Sequence, residues 1–170
     1  MVKMLRMISL VTMGCGFALL SAGDAEAVST TVYSGLTCVK TPSSQGTLGT
    51  YLGTVSNTGS QTLNVMCPVP HTPSSSINSA KILVFDRSQQ ASVVCTISNE
   101  SFKDSPVFQD QESAWTTPQG YNEGTPTELS FPTISTSTNS TFTQTYVTCD
   151  LPGSTSLGVS HLATIQVTES

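Results

Sequence analysis

The sequence predicts an all-β chain, a single antiparallel β-sandwich of immunoglobulin-like or jelly-roll kind, with about eight short strands and two disulfides. Three observations lead there. Short β-branched runs recur along the chain. Serine, glycine and proline clusters separate them, which is the punctuation of turns rather than of helices. Two of the runs, QTLNVMCPVP at 61–70 and QTYVTCDLP at 144–152, end on a cysteine followed closely by a proline, so that a covalent bolt and a missing N–H donor both fall at a strand end.

The first residues are expected to be removed. Lys3 and Arg6 open the chain, Met7 to Leu20 is apolar, and Ala25-Glu26-Ala27 fits the small-x-small rule, so residues 1–27 read as an export signal cleaved after Ala27. The apolar stretch is shorter than the roughly 20 residues of a spanning helix and is interrupted by Ser9, Thr12 and glycines, which disfavours an uncleaved anchor. Lipid attachment at Cys15 is disfavoured too, because Thr12-Met13-Gly14 is a poor lipobox.

Residues 28–170 then form one domain, long enough to bury a sizeable core and short for two. Charged residues are 10% of the chain, against roughly 25% in ordinary soluble proteins, and serine and threonine make up about a third of it. The surface is expected to be coated with hydroxyls. A formal charge of −5 with no basic stripe opposes a phosphate backbone, so no nucleic-acid partner is expected. The same sign and the absence of a basic amphipathic helix disfavour an anionic bilayer surface.

Along the chain, Gly53 to Ser56 leads through the turn cluster Asn57-Thr58-Gly59-Ser60 into Thr62–Cys67, a pattern that predicts a hairpin with Leu63, Val65 and Cys67 facing inward. Pro68, Pro70 and Pro73 break the run. Lys81 to Phe85 is continuously apolar after its lysine, Asp86-Arg87-Ser88-Gln89-Gln90 interrupts, and Ala91 to Ile97 resumes. A second hairpin is predicted there, covered on both faces and central to the core. Further strands are expected near Val107, at Glu128–Phe131, at Phe142–Cys149 and at His161–Val167. Residues 109–126 are read as a long connection or irregular edge strand, and the hydroxyl-rich 133–140 as a loop tip. No window repeats at a fixed period.

With Cys15 in the signal, Cys38, Cys67, Cys95 and Cys149 remain, an even set in an exported chain and therefore two bridges. Sequence alone leaves three connectivities open. Cys38 with Cys67 and Cys95 with Cys149 is the expected pairing, because it ties the N-terminal segment to the first hairpin and the middle of the chain to a late strand. Loops of about 30 and 55 residues would each contribute roughly 3.5 to 4 kcal/mol at most. Zinc is disfavoured: no C-x-x-C occurs, and His71 and His161 lie far from any cysteine pair.

The order of these marks, Cys38, Gly53-x-Val55-x-Asn57, Cys67-Pro68, an apolar strand closing on Asp86, Cys95, Cys149-x-Leu151-Pro152 and a last strand ending Val167-x-Glu169, resembles a set of exported bacterial four-cysteine β-rich proteins of uncharacterised function. The resemblance covers nearly all of residues 28–170. It implies a secreted β-rich domain and brings no activity, ligand or catalytic residue with it.

Chemistry-bearing residues are sparse. A serine nucleophile needs an oriented base, and neither His71, in a proline-flanked loop, nor His161, on an alternating strand, sits in a catalytic motif. Asp110 and Glu112 share a face if extended and invite comparison with a glycosidase pair, though a solvated edge explains them as well. Asp104, Asp110 and Glu112 match no ordered calcium loop. Trp115 with nearby Tyr121, and Tyr51 elsewhere, could stack on sugar rings, while a single tryptophan in a small sandwich commonly packs in its core or rim. Asp86 reads as a turn former. The sequons at Asn99 and Asn139 matter only in a glycosylating host. The expectation is an exported, non-enzymatic structural or interaction domain of the bacterial cell envelope or extracellular space, without cofactor, its partner unknown and a glycan or an envelope protein the candidates. The alternative is a carbohydrate- or polymer-binding module using 109–126, with Trp115, Tyr121, Asp110 and Glu112 as its residues.

Overall fold

The computed structural model describes residues 28–71, 76–102, 108–115, 125–134 and 142–170. They form β1 (Ser29–Ser34), a 3-10 turn (Gly35–Thr37), β2 (Val39–Lys40), β3 (Leu48–Tyr51), β4 (Thr54–Asn57), β5 (Leu63–Pro68), β6 (Ile77–Phe85), β7 (Val94–Phe102), β8 (Phe108–Trp115), β9 (Thr127–Phe131), β10 (Phe142–Leu151) and β11 (His161–Glu169). One sheet runs β3-β4-β11-β6-β9, with β1 also on β11, and the other β2-β5-β10-β7-β8. All pairings are antiparallel. Strands β4 to β11 interleave as 4-11-6-9 over 5-10-7-8, the order of an eight-stranded jelly roll, which decides between the two sandwiches the sequence allows. Among the described residues there are eleven strands where about eight were expected. The expected eight are β4 to β11, and the additional three lie in 29–51, where serine, threonine and glycine dilute the alternation.

Alternation sets the core. Leu63, Val65 and Cys67 of β5, Ile82 and Val84 of β6, Cys95 and Ile97 of β7, Val147 and Cys149 of β10 and Leu162, Ile165 and Val167 of β11 are buried in one cluster between the sheets. Strand β11 breaks period two between Leu162 and Thr164, a bulge that keeps both Leu162 and Ile165 inward. The bulge also marks a change of neighbour, since β4 pairs with residues 161–162 and β1 with 164–169.

Neither predicted hairpin forms. Strands β4 and β5 lie in opposite sheets, as do β6 and β7. In the first connection the buried Asn57 amide donates to the carbonyls of Leu151 (2.9 Å) and Pro152 (3.0 Å) at the end of β10, and accepts from the Thr47 and Gly59 amides. That set of bonds carries the chain across the sandwich. In the second, the buried Asp86 carboxylate accepts from the amides of Ser88 (2.9 Å) and Val93 (3.2 Å), so the expected turn former bends an arch between sheets. Nor is β6 covered on both faces: Ile82 and Val84 are buried while Lys81 is exposed. Strand β4 finds its hairpin partner in β3.

Both bridges take the expected pairing, Cys38–Cys67 and Cys95–Cys149. Both lie within one sheet. Cys95 stands directly opposite Cys149 in the β7–β10 ladder, and Cys38 precedes Val39, whose partner is Met66. The Cα separations of 3.9 and 4.1 Å belong to directly facing residues on neighbouring strands. They staple strands side by side; the two sheets are joined by apolar packing and by Asn57. Two disulfides suit an oxidising compartment. Among the described residues, no helix is long and apolar enough to cross a membrane.

Candidate functional site

The 109–126 segment divides. Residues 109–115 follow the edge-strand reading, and the strand, β8, is regular rather than irregular, with a ladder to β7 from Ser101↔Phe108 to Val94↔Trp115. By register Asp110 stands opposite Asn99 and Glu112 opposite Ile97, both of these β7 residues being buried. Trp115 pairs with Val94. Tyr121 lies outside the described residues, as do Asp104 and Asn139. Asn99 is fully buried, which closes that sequon to a glycosyltransferase in the folded chain. Asp110, Glu112 and Trp115 share one strand. Among the described residues, no three His, Cys, Asp or Glu side chains gather as metal ligands.

What the fold does assemble lies on the outer face of the other sheet. His161, the first residue of β11, faces Ser56 of β4 on one side and Phe85 of β6 on the other. The Phe85 ring stands edge-on to the imidazole at 6.2 Å and the Tyr51 ring tilts against it at 6.5 Å. Tyr51, Leu52, Thr54, Phe85, Arg87 and His161 enclose a depression of about 320 Å³. A second depression, of about 410 Å³, adjoins it across the Tyr51–His161 pair and is lined by Gly49, Thr50, Ser56, Thr58 and Val159. His71 borders a different hollow, with Pro68, Pro70 and Thr143.

Local structure explains how these residues are presented. Tyr51 pairs with Thr54 around a two-residue connection, and both connecting residues have positive φ, 46° at Leu52 and 82° at Gly53. That is the pattern of the type I′ turn, whose twist matches the strands it joins. Glycine takes it without strain. Leucine does not, yet Leu52 is 83% exposed and Tyr51 63%. The Gly53 carbonyl is held by the Ser34 hydroxyl at 2.8 Å, which pins the turn to the end of β1.

Proton accounting fixes the state of His161. The Thr54 hydroxyl donates to the Tyr51 carbonyl at 2.6 Å. Its oxygen therefore accepts from His161 Nδ1, 3.3 Å away, and Nε2 is left as an acceptor. Burial, and then the Arg87 charge, lower the His161 pKa below the usual histidine value, so the ring is neutral at pH 7. Because the Thr54 proton is committed to a carbonyl, this pair is not an activated nucleophile and base. The arrangement offers a flat exposed ring, an aliphatic rim, a guanidinium, a neutral imidazole acceptor and a row of hydroxyls.

No family model matches the chain, and no curated protein matches it. The site was hidden in the sequence because its members come from positions 49–58, 85–87 and 159–161. Its one local signal was Tyr-Leu-Gly-Thr, a two-residue turn ending on glycine between β-forming residues.

Proposed function

We propose that this protein is an exported, non-enzymatic interaction domain, secreted or periplasmic, that engages its partner through the Tyr51–Phe85–His161 face. One observation carries the reading: the turn beside this face holds a leucine, almost wholly in water, in a backbone conformation that costs it free energy. Exposed apolar groups in strained backbone mark functional surfaces more often than structural ones. Two staples inside one sheet support the role as well, since they stiffen the scaffold behind a surface that has no need to move.

The test is binding by the processed, oxidised protein, immobilised and probed separately with polysaccharide and protein fractions of a bacterial envelope. Tyr51→Ala is expected to weaken capture of one fraction at least about tenfold, equivalent to roughly 1.4 kcal/mol, with Trp115→Ala neutral. Capture that survives Tyr51→Ala but not Trp115→Ala would move the site to β8 and overturn the reading.

A further inference from the structure

We infer that the two adjoining depressions form a site for a pyranose polymer, one sugar ring lying against Tyr51 beneath the Leu52 rim and the next crossing the hydroxyl-lined floor beyond His161. This assignment of ligand class rests on the interaction face just proposed.

Three features point to a sugar. A pyranose has a C–H face and a belt of hydroxyls, and it calls for a flat aromatic surface with polar groups beside it. Tyr51 is that surface, 63% exposed and tilted by 47° from the His161 ring, so the two rings make an angled wall. The polar complement is mixed in sign. Neutral His161 accepts at Nε2 and Arg87 donates through its planar fork, which lets neighbouring hydroxyls act as donor and acceptor in turn. A lipid tail or an apolar peptide face would leave the His161 acceptor desolvated and unmatched.

The argument for a polymer comes from the shape. The depression of about 320 Å³ lies at the small end of ligand sites, and Tyr51 and His161 line its neighbour as well. That neighbour is floored by Gly49 and walled by Thr50, Ser56 and Thr58. A Cβ on Gly49 would come within 2.7 Å of the Thr58 methyl and 3.1 Å of Ser56 Oγ, so glycine leaves those side chains their room in the floor. Contiguous shallow subsites on an open sheet face fit the middle of a chain better than an isolated monosaccharide.

Leu52 supplies the independent observation. Asparagine or glycine is the residue for the first position of such a turn, and either would relieve the strain. Leucine there extends the apolar rim over the ring that Tyr51 receives.

Affinity electrophoresis of the processed full chain tests this in gels containing hydroxyethylcellulose, glycol chitin or polygalacturonate, the last to show whether Arg87 prefers a uronate. Retardation is expected in at least one gel, weakened about tenfold or more by Tyr51→Ala and by Leu52→Asn and severalfold by Arg87→Ala. Leu52→Asn is expected to melt higher than wild type, so its loss of retardation cannot come from misfolding. Migration unchanged in all three gels, or retardation indifferent to both Tyr51→Ala and Leu52→Asn, overturns the sugar assignment. If the gels show nothing while Tyr51-dependent capture of an envelope protein persists, the interaction face stands and the sugar falls; if capture is also indifferent to Tyr51, both fall.

Discussion

Asn57 shows how much one buried polar side chain can organise. Its amide nitrogen reaches three carbonyls, those of Gln61, Leu151 and Pro152, and its oxygen takes two backbone amides. Truncation leaves several of those groups buried without partners, each at about 1–3 kcal/mol. Asn57→Ala is therefore expected to lower unfolding free energy by about 3 kcal/mol or more, read from urea denaturation at pH 7. His161 offers a second test at this scale. Its pKa is lowered in the folded state, so the unfolded chain binds the proton more readily. Stability is full above the ordinary histidine value of about 6.5 and falls as pH drops through it toward the lower folded value. Urea midpoints from pH 7.5 to 5 should decline in wild type and flatten in His161→Asn. Glu128 titrates in a separate, lower window: the hydrogen bond from Lys81, at 2.9 Å, lowers its pKa, but the pair is exposed and its weight in stability is small.

At the scale of elements, turns and edges carry the design. The β3–β4 turn gives up stability to expose Leu52. Left-handed backbone costs a non-glycine residue about 1 kcal/mol, a cost asparagine largely escapes, so Leu52→Asn should raise the melting temperature by about 3 °C in a thermal scan. The edge strand β8 carries the partly buried Glu112 opposite buried Ile97, on the core side of its register. Charges placed inward on an edge discourage a second chain from extending the sheet. Glu112→Val is accordingly expected to speed aggregation, followed by light scattering at constant protein concentration, with little change in the urea midpoint.

The whole molecule is held by different means in different directions. Across the sandwich, apolar packing between the sheets and the Asn57 bonds do the work; along one sheet, two disulfides do. The Cys95–Cys149 bridge joins strands already paired over nine residues, so it acts chiefly by shortening the unfolded chain. Cys38–Cys67 instead anchors β2, which has just two residues in its ladder. Replacing both members of the longer bridge, Cys95→Ala with Cys149→Ala, should cost up to about 4 kcal/mol while leaving hydrogen exchange across β2 tied to global unfolding. Cys38→Ser with Cys67→Ser should free the β2 amides to exchange by local opening. Identical exchange patterns in the two variants would contradict this division.

Residues near one another in the chain determined much. Alternation named Leu63, Val65 and Cys67 as core, the cysteine count required two bridges, and the turn clusters separated most of the strands from β4 to β11, though not the extent of β8, because each of these signals is local. The course of the chain beyond a turn is not local. Whether the strand after Asn57 folds back beside β4 or crosses to the other sheet depends on carbonyls almost a hundred residues away at Leu151 and Pro152, and the sequence period is the same in both outcomes. For the same reason 109–126 stood out by crowding acids and a tryptophan into one stretch, while the depression at Tyr51, Phe85 and His161 stayed hidden. The β3–β4 turn, a strand from the middle of the chain and the start of β11 become neighbours on one face when the jelly roll closes, since hydrogen-bonded registers between distant segments, and no pattern within any one of them, decide which side chains meet.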